Sequence, residues 1–441
     1  MENLPLVRPL RRLVERYARV NWAMADQALL SAVNFATGVL LARALGPSEF
    51  GVFSLAWLAV LFVYSLQFAL ISAPMLSIAA KYEEKDRPRY YGAVFTHFGL
   101  TTAASFSIVL LGSLAFGLLY PPSGAYALAL PIAFATIGYQ VRDFFRRYFF
   151  SLERPASAFI LDFIGYGGQL AVLFALIQTE NLTVATALWG TAAIAFIAAG
   201  VGLLRIAPVV FRRSSFYEVL KRHWEFARWL LGSAVLDMFT GQIALLVSGA
   251  FLGAAAAGAV RAAQTLLGIA NILFHASQNV LPSRAAALFK EGGAPSLRRF
   301  ILQALLALTG VTLCMALFFG VAPDFWLTTF FGEAFDGYGE LVRWFGIVFV
   351  VKAVTFSIGS GLWAIEKTRP IFIGYVVAST IGLASAYPLL QVFGATGAVL
   401  TALIGEIFLV VVTGLHFLRL TKSSAPDESP SSTELAPEAV R

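Results

Sequence analysis

The chain contains one cysteine, Cys314, set in an apolar run, which excludes an intramolecular disulfide and a thiolate-based metal cluster. Its four histidines, His97, His223, His275 and His416, are scattered, with no second ligand at metal spacing, so no metal site is expected. No GxxxxGK[ST] run occurs, and ATP hydrolysis through a Walker loop is excluded with it. The glycines closest to a dinucleotide fingerprint, Gly165 and Gly167, fail because Leu170 stands where the third glycine belongs. Charge is the scarcest commodity. Only 13% of the 441 residues are charged, against about a quarter in a soluble domain.

Apolar side chains take the space, at 59% of residues with a mean hydropathy of +0.77. Such a chain is expected to be an integral membrane protein. The bilayer core is about 30 Å thick and a helix rises about 1.5 Å per residue, so each crossing needs about 20 apolar residues. Long continuous runs, rather than alternating ten-residue segments, predict helices and not a barrel. Breaking the chain at polar and Pro/Gly clusters predicts about twelve spans, near 22–45, 51–79, 91–119, 125–149, 156–177, 184–206, 229–252, 258–281, 300–322, 341–364, 371–391 and 395–418.

The net charge of +7 falls unevenly. All but four of the 32 Lys and Arg sit in the two tails or beside every second connection, while the intervening connections hold acids such as Glu49, Glu180, Asp324 and Glu333 and no base. Basic loops stay cytoplasmic, so both termini are placed inside and the helix count is even. The charge is then a topology signal, and no nucleic-acid partner is expected. Residues 1–21 read as a basic cytoplasmic amphipathic segment and 207–228 as an amphipathic linker, with Phe216, Val219, Leu220 and Trp224 at helical spacing. The tail 421–441 is rich in Ser, Pro and Glu and predicts cytoplasmic disorder.

The chain also repeats. Leu45-Gly46-x4-Gly51-x4-Ala56 recurs as Leu252-Gly253-x4-Gly258-x4-Ala263, Pro74 has a counterpart in Pro282, and Arg154-Pro155 has one in Arg369-Pro370. Six helices followed by six more give two parallel lobes, 22–206 and 229–420, related by a pseudo-twofold axis along the membrane normal.

Within this frame LLARALGPSEFGVFSLAW, at residues 40–57, resembles the first hairpin of the polysaccharide biosynthesis flippases, the Wzx-type translocases of the multidrug/oligosaccharidyl-lipid/polysaccharide (MOP) superfamily. The Arg154-Pro155 pair and the FFGEAFDGY segment at 330–338 extend the likeness to about residues 20–420. The resemblance implies an all-α membrane protein of MATE-like architecture that is not an enzyme and has no cofactor. Its implied place is a bacterial inner membrane. Its implied cargo is an undecaprenyl-pyrophosphate-linked oligosaccharide repeat unit bound for surface polysaccharide such as O-antigen, and its partners are membrane lipids and polysaccharide polymerase machinery.

Charges within the spans are the candidate working residues, because each costs about 2.5–3.5 kcal/mol on insertion scales. A pyrophosphate asks for guanidinium or ammonium groups, and Lys352, Arg43, Arg261 and Arg142 are the candidates for it. The competing reading pairs Lys352 with an acid and lets the arginines snorkel. Asp237 and Glu406 are the candidates for coupling to H+ or Na+, with a structural ion pair as the alternative. Related lipid II flippases place sodium among the seventh, eleventh and twelfth helices; here the eleventh offers only Ser379, Thr380 and Ser385, a departure that weakens the sodium reading. Asn34, Gln67, Gln169, Gln242, Gln264, Asn271, Gln278 and Asn279 are candidates to line a sugar path or to bond across helices. The Phe325–Tyr338 aromatics read first as an interfacial belt. Two other functions compete: a multidrug or cation antiporter of the same superfamily, which would want an acid-dominated cavity, and a polytopic polysaccharide polymerase or ligase. The enzyme reading is disfavoured because the longest outer segment, 323–340, has no Lys, Arg or His.

Overall fold

The structure is a computed structural model that describes residues 7–121, 125–278 and 281–422. The first six residues and the tail beyond 422, where disorder is expected, lie outside the described residues, as do the side chains of Gln278 and Asn279. The described chain is helical: α1 (Val7–Gln67), α2 (Ala73–Ile78), α3 (Arg87–Leu119), α4 (Ala125–Ser151), α5 (Pro155–Asp162), α6 (Gly168–Gln178), α7 (Val184–Leu203), α8 (Arg213–Leu252), α9 (Ala254–Leu267), α10 (Ala270–Gln278), α11 (Leu281–Val321), α12 (Pro323–Phe331), α13 (Gly339–Ala364) and α14 (Arg369–Lys422). Single π turns join α1 to α2 and α5 to α6.

Eight stretches among the described residues are long and apolar enough to cross a membrane. Two of them turn back on themselves. The stretch Leu29–Ile78 reverses at Gly46, φ 68°, and Arg369–Lys422 reverses at Gly394, φ 55°, backbone states that a Cβ disfavours. The other two rods needed for twelve are α4 and the α9–α10 pair. The first carries Arg142, Asp143, Arg146 and Arg147 towards its C-terminal end, and the second is interrupted by a turn at 268–269. The chain is therefore a multi-pass membrane protein with twelve rods in two lobes among the described residues.

The sequence repeat has a physical meaning at each of its glycines. Gly46 and Gly253 share one backbone state, φ 68° and ψ 176° against φ 89° and ψ 179°, so each lobe makes its first reversal in the same way. Five residues on, Gly51 and Gly258 meet each other. A Cβ on Gly51 would lie 1.7 Å from the Ala254 carbonyl oxygen, and one on Gly258 would lie 1.9 Å from that of Pro47. Ala254 stands to Gly258 as Pro47 stands to Gly51, so the contact is the same from both sides, as across a twofold axis. The second arm of α1 thus crosses α9 backbone against backbone, and the core around the crossing includes Leu41, Phe50, Ala257, Ala259 and Val260.

The connection between the lobes is tied to the first one. The Ala207 amide donates to the Tyr148 hydroxyl (3.2 Å) and the Val210 amide to the Pro88 carbonyl (2.9 Å). Gly92 lets that strand pass, since a Cβ there would be 2.2 Å from the Val210 oxygen. Helix α8 then begins at Arg213 and runs unbroken to Leu252, so the amphipathic linker and the seventh span are a single rod. Val219, His223 and Ala227 are the buried face of its first turns; Tyr217, Leu220 and Trp224 are exposed. The aromatic segment after the ninth span is in part a helix, α12, N-terminated by Pro323 and ended by Gly332 at φ 99°.

Candidate functional site

Two polar clusters lie within the apolar spans, one in each lobe. In the first lobe the sequence RDFFRR places Arg142, Asp143, Arg146 and Arg147 on neighbouring faces of α4, at the i,i+3 and i,i+4 spacings that let side chains meet. The Arg147 Nε donates to Asp143 Oδ2 at 3.4 Å, and Tyr64, on α1, donates its hydroxyl to the same oxygen at 3.0 Å. The Arg146 Nε donates to Asp162 on α5, an acid only 1% exposed. Three guanidiniums thus face two carboxylates.

Arg142 is the odd one. It is 3% exposed, and its guanidinium carbon lies 4.0 Å from the ring centroid of Tyr166 and 5.1 Å from that of Tyr139. Its Nε has no hydrogen-bond partner. Gly165, in the π turn after α5, makes the room, because a Cβ there would fall 2.7 Å from Arg142 Cδ. Aromatic faces stabilise a desolvated cation without engaging its N–H donors. The aromatic wall continues through Tyr139 to Trp57 (5.6 Å) and Tyr64 (4.9 Å).

In the second lobe Glu406 is 4% exposed and accepts from the Thr355 hydroxyl at 3.3 Å. Lys352 and Asp237 both lie within its electrostatic reach, and the Tyr375 phenol faces Asp237 and Glu406 together. Thr240 and Ser379 share a hydrogen bond of 2.8 Å across α8 and α14. Lys352 Nζ stands 5.9 Å from the Phe349 ring centroid. The structure therefore brings Asp237, Lys352 and Glu406 into one group from three helices. Glu406 lies between one cation and one further carboxylate there, an arrangement suited to taking up a proton or a small cation.

The four residues selected for an anionic headgroup do not form one site. Arg43 is exposed, and its Nη2 donates to the Thr329 carbonyl oxygen at 2.9 Å, at the end of α12. Arg261 Nη1 donates to Gln264 Oε1 at 3.1 Å, on its own helix. Arg142 belongs to the first cluster and Lys352 to the second. Of the amides, Gln169 donates to Thr37 (3.2 Å) and Gln140 to Ser105 (3.2 Å), bonds between helices of one lobe. The reading from sequence missed the partners that define the first cluster: Tyr64, Tyr139, Asp162 and Tyr166. Their only signal was three arginines and one aspartate in a single apolar span, which demanded buried partners.

No family model matches the chain and no curated protein matches it in sequence. Solved structures do. An inward-facing multidrug-resistance MATE-family transporter of the MOP superfamily superposes with a TM-score of 0.75 at 14% identity, over 90% of this chain and 96% of the other. An outward-facing structure of such a transporter gives 0.61 at 15% identity, over 91% and 94%. A MOP-superfamily transporter from Pyrococcus furiosus, described by a binding pocket of reverse polarity and a different function, gives 0.64 at 14% identity, over 91% and 94%. The fold is that of MATE transporters in the MOP superfamily, two lobes of six helices each. The proteins that share it are membrane transporters.

Proposed function

We propose that the chain is a secondary transporter of the flippase type, which carries an undecaprenyl-pyrophosphate-linked oligosaccharide from the inner to the outer leaflet of a bacterial inner membrane. The observation that carries the reading is the cation excess of the first cluster: Arg142 and Arg146, both buried, and the half-buried Arg147 against Asp143 and Asp162, with Arg142 caged by Tyr139 and Tyr166 and its Nε unbonded. A cluster with more guanidiniums than carboxylates in a low-dielectric interior is stabilised by an anion that reaches it. The carboxylate pair of the second lobe supplies the coupling site. Protonation of Glu406 removes its attraction for Lys352 and its repulsion of Asp237, and this biases the lobe between conformations.

The basic connections support cytoplasmic termini. The face of the Gly46 and Gly253 turns is then external, and it is the face on which the lobes touch. The higher similarity to an inward-facing transporter than to an outward-facing one accords with that orientation. The second lobe alone favours the runner-up, a multidrug or cation antiporter, because its two carboxylates outnumber Lys352.

Leaflet-resolved accumulation of the lipid-linked repeat unit separates the two readings. Cells lacking the gene are complemented with wild type, Arg142→Gln or Lys352→Ala, at matched expression. Inner-leaflet build-up relieved by wild type, and at least tenfold less well by Arg142→Gln, is the expected result. The absence of build-up, with altered resistance to cationic drugs, overturns the flippase in favour of the antiporter.

A further inference from the structure

The symmetric crossing of the two repeats does more than join the lobes. Its parts are all on one face: the Gly51 and Gly258 contact, the turns before it, and α12 laid across it. Helix α12 belongs to the second lobe but is fastened to the first. Arg43 holds the Thr329 carbonyl oxygen, Phe35 meets Phe330 edge-on at 5.5 Å, and Phe50 meets Phe335 at 6.3 Å. Phe335 and Phe50 are 0% and 2% exposed, so this is a packed seam.

We propose that this seam is a gate: the Gly51/Gly258 crossing is the contact that must part for the lobes to open on this face, and α12, held by Arg43, is the bar across it. Glycine crossings also pack helices within a lobe, as Gly397 does against the Leu389 carbonyl oxygen; this one joins α1 of the first lobe to α9 of the second, so separation of the lobes on this face must break it. At the crossing itself backbone meets backbone, so no side chain has to be withdrawn there when it parts, while the Phe35–Phe330 and Phe50–Phe335 contacts beside it separate with α12. The same geometry makes the gate intolerant of a Cβ. At 1.7 Å and 1.9 Å from facing carbonyl oxygens, a methyl group on either glycine fits only if the two backbones move apart. Arg43, selected from the sequence for an anion, acts here through a carbonyl on the opposite lobe.

The proposal rests on the reading of the chain as an alternating-access transporter, and its test measures lobe separation instead of cargo. In the full-length chain with Cys314→Ser, spin labels are placed through Ser48→Cys and Ala255→Cys, exposed positions equivalent in the two repeats, and their distance distribution is read in nanodiscs. The parent is expected to populate mainly the short distance, with at most about a tenth of molecules longer, a usual minor-state population. Gly51→Leu and Gly258→Ala should each make the longer distance the majority, while Gly112→Leu, at a glycine with open space around it, should change nothing. Arg43→Ala, which removes one bond and adds no bulk, should raise the longer fraction several-fold. Unchanged distances in folded Gly258→Ala and Arg43→Ala proteins overturn the gate. So does a parent whose distance stays single in every condition, including added lipid-linked oligosaccharide, for the crossing is then a permanent staple. Labels that part in a protein that flips no oligosaccharide sustain the gate and sink the cargo reading.

Discussion

His223 shows what one side chain does at the joint between lobes. It lies on the part of α8 outside the membrane span, is 2% exposed, and bonds the Tyr90 hydroxyl through Nε2 at 3.0 Å, with the His97 ring 6.2 Å away and Arg222 next to it. Burial first, then the neighbouring His97, pushes its pKa down to about 4. An unfolded histidine titrates near 6.5, so between about 6.5 and 4 the unfolded chain binds the extra proton. Stability is therefore full above that window and falls as pH drops through it. Thermal unfolding in micelles should show a loss from pH 7 to pH 5 that His223→Phe largely removes; equal slopes in both proteins would contradict this. In the first cluster, Arg146→Ala removes the guanidinium bonded to the buried Asp162 carboxylate and should cost about 3–5 kcal/mol, while Arg146→Met with Asp162→Leu should recover most of it. Denaturant or heat titration of the three proteins checks that order.

At the scale of elements, the bends decide more than the rods do. Gly253 sits at φ 89° and ψ 179°, a region essentially reserved for glycine, where another residue costs of order 1–3 kcal/mol. Gly253→Ala should lower thermal stability by that amount although no atom lies within 4 Å of the new methyl, and Gly46→Ala should match it. Gly112→Ala, in the middle of α3, should be neutral or slightly stabilising. A loss at Gly112 as large as at Gly253 would show that space, not backbone state, sets the cost. The unbroken α8 is a second element-level feature. Its first turns pack on the first lobe beside Tyr90 and Tyr91, and its remainder packs on α14 and α9. Relative motion of the lobes must then bend α8 or undock it.

For the whole molecule, the proposed function divides the labour between the lobes. The first carries excess positive charge around Arg142, and the second carries Asp237 and Glu406 around Lys352. Glu406→Gln should abolish the pH dependence of transport while leaving the binding of inorganic pyrophosphate to purified protein unchanged. Arg142→Gln should weaken that binding at least tenfold with the pH dependence intact. Isothermal titration and a proteoliposome flux assay at several pH values read both effects. If both variants fail both assays alike, the lobes do not work as separate sites.

Composition and the spacing of apolar runs determined the membrane class, the twelve rods and the two-lobe repeat, because length and hydropathy suffice to specify a bilayer crossing. The repeat even marked Gly46, Gly51, Gly253 and Gly258 before their geometry was known. Sequence also marked Asp237, Lys352 and Glu406 as charges needing company, since burial of an ion is costly wherever the partner comes from. It did not show that these three would meet. Lys352 and Glu406 lie on the consecutive helices α13 and α14, but Asp237, on α8, is more than a hundred residues away in the chain and only packing brings it to them. Nor did it show that Arg43 would reach Thr329, or that Tyr139 and Tyr166 would cage Arg142. Periodicity reports which face of a helix is apolar, but not which helix it faces. That choice is made by the bends at glycine and by the fit of one rod on the next, and only the tertiary structure records it.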